Sequence, residues 1–271
     1  MVIGGFIKAR VYAERLSFVN RRLDKARKKI YTWEAMRLTR NILAFLVAAV
    51  LILLVFLPVA AVSGIGQRRD FIFSCGRLVV GATLGVLGVR VALRGLDAVD
   101  WSRPPVIVSN HLSNLDGPLL VHVLPVNPRV LIKAEARRIP LVGWILKLAG
   151  FVFVDRSSAA RRQQALEEAV ERITRTRSPF VVFPEGTRRR GGAPGEFKKG
   201  SFVIARRAGA PVLPVRIRGT ERLLPPGRRT CAAGRVEIEF FPLRDLSAVA
   251  ESDLSAFARD VQRTIEEGGA A

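Results

Sequence analysis

Residues 42–62 carry no charged and no strongly polar side chain. This run of twenty-one residues, ILAFLVAAVLILLVFLPVAAV, limits what the chain can fold into more than any other feature. As a helix rising about 1.5 Å per residue it would extend roughly 31 Å, the thickness of a bilayer's hydrocarbon core. A soluble helix is seldom apolar all round over that length, because only one stripe faces a core. Arg37 and Arg40 precede the run; Arg68 and Arg69 follow it. A charged leader of about forty residues is too long for the n-region of a signal peptide, so the run is expected to stay in the protein.

Residues 1–40 hold eleven Lys or Arg against Glu14, Asp24 and Glu34. Ile3, Ile7 and Val11 recur at helical spacing, which fits either a basic amphipathic helix on anionic lipid or a solvated basic arm. A second apolar stretch, 71–93, is broken by Arg77 and Arg90; its uninterrupted part, 78–89, is twelve residues long and too short to span alone. If it did enter lipid, its arginines would have to snorkel. One span would put the two ends of the region on opposite sides of a membrane. A hairpin, or two helices dipping into one leaflet, would keep them together, and the basic residues at both ends favour that arrangement. The net charge is +21 and 49% of residues are hydrophobic, with a mean hydropathy of +0.22. Oily and cationic together suit a phospholipid surface. Base-stacking aromatics are sparse: 7% of the chain, and none in the basic loop 188–190, so no nucleic-acid partner is expected. Two cysteines, Cys75 and Cys231, exclude a disulfide framework and a cysteine-built zinc site.

From Val89 onward short apolar runs alternate with helical patterns. Strands are expected near 89–93, 106–109, 130–132, 151–154, 180–183, 212–217 and 236–240. Helices are expected near 118–123, 141–148, 160–174, 201–208 and 254–267. Strands that are apolar throughout are covered on both faces, so the pattern predicts an α/β fold: a mostly parallel sheet with helices on both sides. Three regions follow: a basic arm (1–40), a membrane-associated two-helix region (41–93) and an α/β domain (94–271).

The chain has two histidines. His111 lies in NHLSNLDG (110–117), just after an apolar strand, with Asp116 five positions on. A carboxylate can fix an imidazole's tautomer and make it a base. Five residues is about 500° around a helix, so the pair meets only if the segment turns after the strand. Asn110, Ser113, Asn114 and Gly117 suit such a turn. By itself the spacing favours a structural histidine, and His122 has no such context. FPEGTRRR (183–190) also follows a strand. Its glycine lets backbone N–H groups approach an anion, its arginines suit phosphate, and Glu185 is placed to orient them. Lys133 and Arg156 end two more strands. Strand carboxyl ends are where open α/β sheets bind ligands, so these groups are expected to converge on one crevice. Phosphate-binding P-loop, GxGxxG, GxSxG and HExxH motifs are missing.

NHLSNLD resembles the NHx(S)xxD block of the 1-acylglycerol-3-phosphate acyltransferase family of glycerolipid acyltransferases. LIKAEARRIPLVGWILKLAGFVFVDR (131–156), FPEGTR (183–188) and FKKGSFVIARRAGAPVLPVRI (197–217) resemble the second, third and fourth blocks, in order, over roughly residues 85–245. Ala136 stands where the second block often carries leucine. The resemblance implies the glycerolipid acyltransferase fold and transfer of an acyl group from acyl-CoA or acyl carrier protein to the sn-2 hydroxyl of lysophosphatidic acid. His111 would be the base and Asp116 would orient it. Asn110, Ser113, Lys133, Arg156, Glu185, Gly186, Thr187 and Arg188 would bind substrate, the cations and the 185–188 turn holding its phosphate. No cofactor or metal is expected beyond the acyl donor. The expected location is a cell membrane, with the α/β domain on the cytoplasmic side among membrane phospholipids.

Overall fold

The computed structural model describes residues 31–56, 69–155, 157–186 and 195–268. The segment 1–30, with its expected amphipathic helix, lies outside them, as do Arg156, Thr187 and Arg188.

Among the described residues seven strands form one sheet in the order β1-β7-β6-β2-β5-β3-β4. These are β1 (Val89–Arg94), β2 (Val106–Ser109), β3 (Arg129–Lys133), β4 (Val152–Val154), β5 (Phe180–Val182), β6 (Val212–Arg218) and β7 (Gly234–Phe240). β6, β2, β5, β3 and β4 run parallel. β7 pairs antiparallel with β6 and parallel with β1. The sheet is therefore mostly parallel, with a reversed pair at one edge.

The helices are α1 (31–51, ending in a π turn, Ile52–Phe56), α2 (Arg69–Leu87), α3 (Asp116–Val123), α4 (Val142–Leu148), α5 (Ala159–Thr176), α6 (Gly200–Arg207), α7 (Thr220–Leu223) and α8 (Leu254–Glu267). Successive strand residues point to opposite faces. Ile107, Val181 and Leu213 pack with Phe73 and Leu84 of α2 and Leu119 and Leu120 of α3. Val106, Val108, Phe180 and Val182 pack on the other face with Ala169 of α5, Phe202 of α6 and Val261 of α8. Each central strand is thus buried on both sides, as its unbroken apolar sequence requires. The helices show the matching one-sided pattern. In α8 the buried residues are Leu254, Ala258, Val261 and Ile265, one stripe at helical spacing. Ser158 caps α5 by accepting the Arg161 N–H.

α1 behaves differently. Tyr31–Leu54 is long and apolar enough to cross a membrane, yet only 6% of its most apolar window is buried. Phe45 is 73% exposed and Leu54 67%. α2 also has the length and apolarity to cross, but one of its faces is docked on the α/β core through Phe73, Leu84 and Leu87. Arg77 does not snorkel. Its guanidinium donates to the carbonyls of Leu124 (3.2 Å) and Val126 (2.6 Å) and to Asn127 Oδ1 (2.8 Å). The charge that interrupts the second apolar stretch is thus a tether to the α3–β3 connection. The boundary expected after residue 93 falls inside β1, which pairs along its whole length with β7. The α/β unit starts at Val89, and α2 is part of its cover.

α1 is also fastened to this unit. Asn41 Nδ2 donates to the Cys231 carbonyl (2.8 Å), and Asn41 Oδ1 accepts the Cys231 N–H (2.7 Å). Cys231 is buried. Asn41→Leu would strip both partners from a buried peptide group and is expected to cost about 1–3 kcal/mol of stability. Thermal unfolding in detergent checks this; an unchanged midpoint would mean that the Asn41 bridge does not support the fold.

Candidate active site

β2, β5 and β6 are adjacent and parallel, so Ser109, Val182 and Arg218 end on one edge of the sheet. The segments that leave this edge meet there. The His111 and Phe183 rings stack, with centroids 4.2 Å apart and planes 22° from parallel. This follows from the register, in which Val108 pairs with Val182, so that residues just beyond each strand lie side by side.

After β2 the chain turns back around one carboxylate. Asp116 is the first residue of α3 and is fully buried. Its Oδ2 accepts His111 Nδ1–H at 2.8 Å and the N–H groups of Leu112 and Ser113, both at 2.7 Å. A single oxygen therefore shapes the loop and fixes the ring. An ionised carboxylate can only accept, so with Asp116 in that form this bond requires the imidazole proton on Nδ1. The His111 side chain remains 21% exposed while Asp116 is at 0%. The ring is thus partly open to solvent while the acid that holds it lies in the interior.

The remaining residues assigned to substrate divide into two groups. Asn110, Ser113 and Glu185 use their polar atoms on the protein itself. Asn110 Nδ2 donates to the Ile217 carbonyl and its Oδ1 accepts the Ile217 N–H, both at 2.8 Å. Ser113 Oγ donates to the Leu224 carbonyl at 2.8 Å and accepts the Leu115 N–H at 3.2 Å. The arginines that Glu185 is expected to orient, 188–190, lie outside the described residues. Glu185 Oε1 accepts the His111 N–H (2.9 Å) and its Oε2 the Gly195 N–H (3.0 Å). All three residues are buried. A buried polar group needs a partner nearby, and backbone from the neighbouring segment supplies it.

The second group faces outward. Lys133 ends β3 and is exposed, paired with Glu135 at 2.7 Å. β3 is two strands from β2, roughly 10 Å at ordinary strand spacing. Gly186 takes φ 75°, the left-handed conformation that glycine adopts without strain, and its N–H bonds the Phe183 carbonyl (3.1 Å). It closes the turn that follows β5. His122 lies off the site: its Nδ1 bonds the Arg77 carbonyl at 3.1 Å. Among the described residues no group of three His, Cys, Asp or Glu is placed to hold a metal ion.

Burial pushes the Glu185 carboxyl above its ordinary value, and the two backbone N–H bonds only partly offset this. A raised acid binds its proton more readily folded than unfolded. Its contribution to stability is present below the ordinary carboxylate range and is lost as pH rises through the raised value. Glu185→Gln is expected to remove that slope. The gap in unfolding temperature between wild type and variant should therefore change across this acidic window and be constant above it. A gap independent of pH would contradict the burial effect.

A strand-end histidine held by a buried acid stands beside a glycine turn on a mostly parallel sheet, and comparison with known proteins gives the class of protein. The family model described as Acyltransferase matches residues 90–218. The crystal structure of the 1-acyl-sn-glycerophosphate (LPA) acyltransferase PlsC from Thermotoga maritima superposes with a TM-score of 0.70 at 30% identity, covering 87% of this chain and 98% of that one. The 1-acyl-sn-glycerol-3-phosphate acyltransferase alpha of Ovis aries is 29% identical over 209 residues, 77% of this chain and 72% of that protein. The 1-acyl-sn-glycerol-3-phosphate acyltransferase of Borreliella burgdorferi is 29% identical over 196 residues, 71% of this chain and 77% of its own length. The chain belongs to the 1-acyl-sn-glycerol-3-phosphate acyltransferase family and is an acyltransferase.

Reading the sequence missed Phe183 as the ring partner of His111, α7, and the anchoring role of Asn41. FPEGTR carries Phe183 in plain view, but only the strand register reveals what it stacks on.

Proposed function

We propose that the protein transfers a fatty acyl group from acyl-CoA or an acylated carrier protein to the sn-2 hydroxyl of lysophosphatidic acid, forming phosphatidic acid. The observation that carries this is the His111–Asp116 pair, with Nδ1 engaged and the ring partly exposed. His111 Nε2 takes the proton of the acceptor hydroxyl as its oxygen attacks the thioester carbonyl carbon. The tetrahedral intermediate collapses with cleavage of the C–S bond, and the imidazolium returns the proton to the leaving thiolate. Asp116 keeps the ring oriented and balances its charge in both steps. Lys133 and Gly186, with Arg156, Thr187 and Arg188 of the same blocks, take the acceptor's phosphate. Asn110, Ser113 and Glu185 position the loops instead of touching substrate.

The protein works at a membrane in this reading. Support comes from α1, apolar and almost wholly exposed, and from the excess of basic residues. The α/β domain sits on the cytoplasmic face, where acyl-CoA and acyl carrier protein are found, and the positive charge attracts both anionic donor and anionic acceptor.

An acceptor series tests the proposal. Purified protein in mixed micelles is given lauroyl-, palmitoyl- or oleoyl-CoA with lysophosphatidic acid, lysophosphatidylethanolamine or glycerol 3-phosphate. Turnover with lysophosphatidic acid alone supports it. Turnover confined to another acceptor would keep the chemistry and overturn the substrate.

A further inference from the structure

Outside α1, α2 and Leu93 of β1, the large apolar side chains that stand exposed among the described residues all belong to one segment. They are Ile139 (50% exposed), Val142 (36%), Trp144 (43%) and Leu148 (40%). Arg137, Arg138 and Lys147 are interleaved with them and also exposed, and the stretch 137–148, RRIPLVGWILKL, contains no acid.

This surface is built. Leu141 adopts φ 63° and ψ −51°, and Val142 N–H bonds back to the Pro140 carbonyl at 2.6 Å. That is a γ-turn of the strained positive-φ kind, which a leucine holds only when its surroundings impose it. Gly143 N–H bonds the Ile139 carbonyl at 2.8 Å, and a Cβ at Gly143 would overlap the Arg137 carbonyl oxygen. The turn fixes Ile139 and Val142 as outward residues. The opposite side of α4, through Leu146 and Ala149, joins the cluster that contains Phe73 of α2 and Phe151, so α4 lies against α2.

We propose that segment 137–148 is a second lipid contact, seating the α/β domain on an anionic bilayer surface independently of α1. The inference rests on the membrane reading above. Three features select lipid over a protein partner. The segment's helix packs beside α2, on which Phe71 and Leu78 stand exposed. The charges carried by the segment itself are all cationic, complementary to anionic headgroups. The segment's centre is a tryptophan, whose apolar body and polar N–H match the headgroup boundary. The same segment follows directly from Lys133 at the end of β3 through the turn Ala134–Arg138, so seating it would bring the ligand edge of the sheet to the headgroup layer.

The test uses tryptophan fluorescence of the full chain reconstituted in phosphatidylglycerol–phosphatidylcholine vesicles with acyl-chain bromine as the quencher. Trp144 is the sole tryptophan in Trp33→Phe/Trp101→Phe; Trp33, on α1, is the sole one in Trp101→Phe/Trp144→Phe. Quenching of Trp144, reduced by Arg137→Glu/Arg138→Glu, is the expected result. Quenching of Trp33 with Trp144 unquenched and open to aqueous acrylamide would overturn the second contact while leaving α1 in lipid. Absence of quenching at both would overturn the membrane reading as well. If Trp101→Phe does not fold, Leu148→Cys in the otherwise native chain, labelled with an environment-sensitive dye, asks the same question: a blue shift on reconstitution supports the contact and an aqueous spectrum overturns it.

Discussion

His111→Ala is expected to lower kcat by about 10²–10⁴-fold, the usual contribution of a positioned base, with little change in fold or in membrane binding. The side chain is partly exposed and stacks on Phe183, so its removal opens no sealed cavity. The loop around it does not depend on the imidazole, because Asp116 also holds the N–H groups of Leu112 and Ser113, and Glu185 holds that of His111 itself. The measurement is steady-state turnover alongside thermal unfolding. An active variant would remove His111 from the base role, whereas an inactive variant that has also unfolded would show a structural requirement.

Asp116 should behave differently, because one oxygen does two jobs. Asp116→Ala removes the acceptor for two backbone N–H groups in a fully buried site, at about 1–3 kcal/mol for each orphaned group, and frees the imidazole as well. Loss of stability and loss of turnover should therefore appear together. Asp116→Asn separates them. Its oxygen can still accept the loop N–H bonds, and its amide nitrogen would take the place of Oδ1, which has no partner among the described residues. The neutral amide cannot balance an imidazolium. The asparagine variant is expected to keep most of the stability and still lose about 10²–10⁴-fold in kcat. Turnover near wild type in a folded Asp116→Asn protein would show that the charge is not needed.

The sheet was legible in the sequence where burial writes itself into composition. The strand 106–109 and the helix 254–267 were located to the residue, since one is apolar throughout and the other carries an apolar stripe. The reversed direction of β7 was not legible, because strand direction depends on how the 218–234 connection returns and not on strand composition. α7, four residues long, is too short to show a period. At the site, the residues were visible but not the direction they face. Asn110 and its partner Ile217 are 107 positions apart, and His111 N–H and Glu185 are 74 apart. Nothing local distinguishes a polar side chain bound for substrate from one that holds the next loop. Arg77 makes the same point: beside an apolar stretch it reads as a charge needing water, but carbonyl groups some fifty residues later satisfy it.

The central claim is that a histidine-derived base drives direct transfer from thioester to acceptor hydroxyl. The most direct measurement follows free CoA and phosphatidic acid together after mixing wild-type protein with palmitoyl-CoA, with and without lysophosphatidic acid. The account predicts thiol release only when the acceptor is present, one phosphatidic acid formed per thiol, and neither product with His111→Ala. Thiol release that proceeds equally without acceptor, or that persists in the His111 variant, would contradict it.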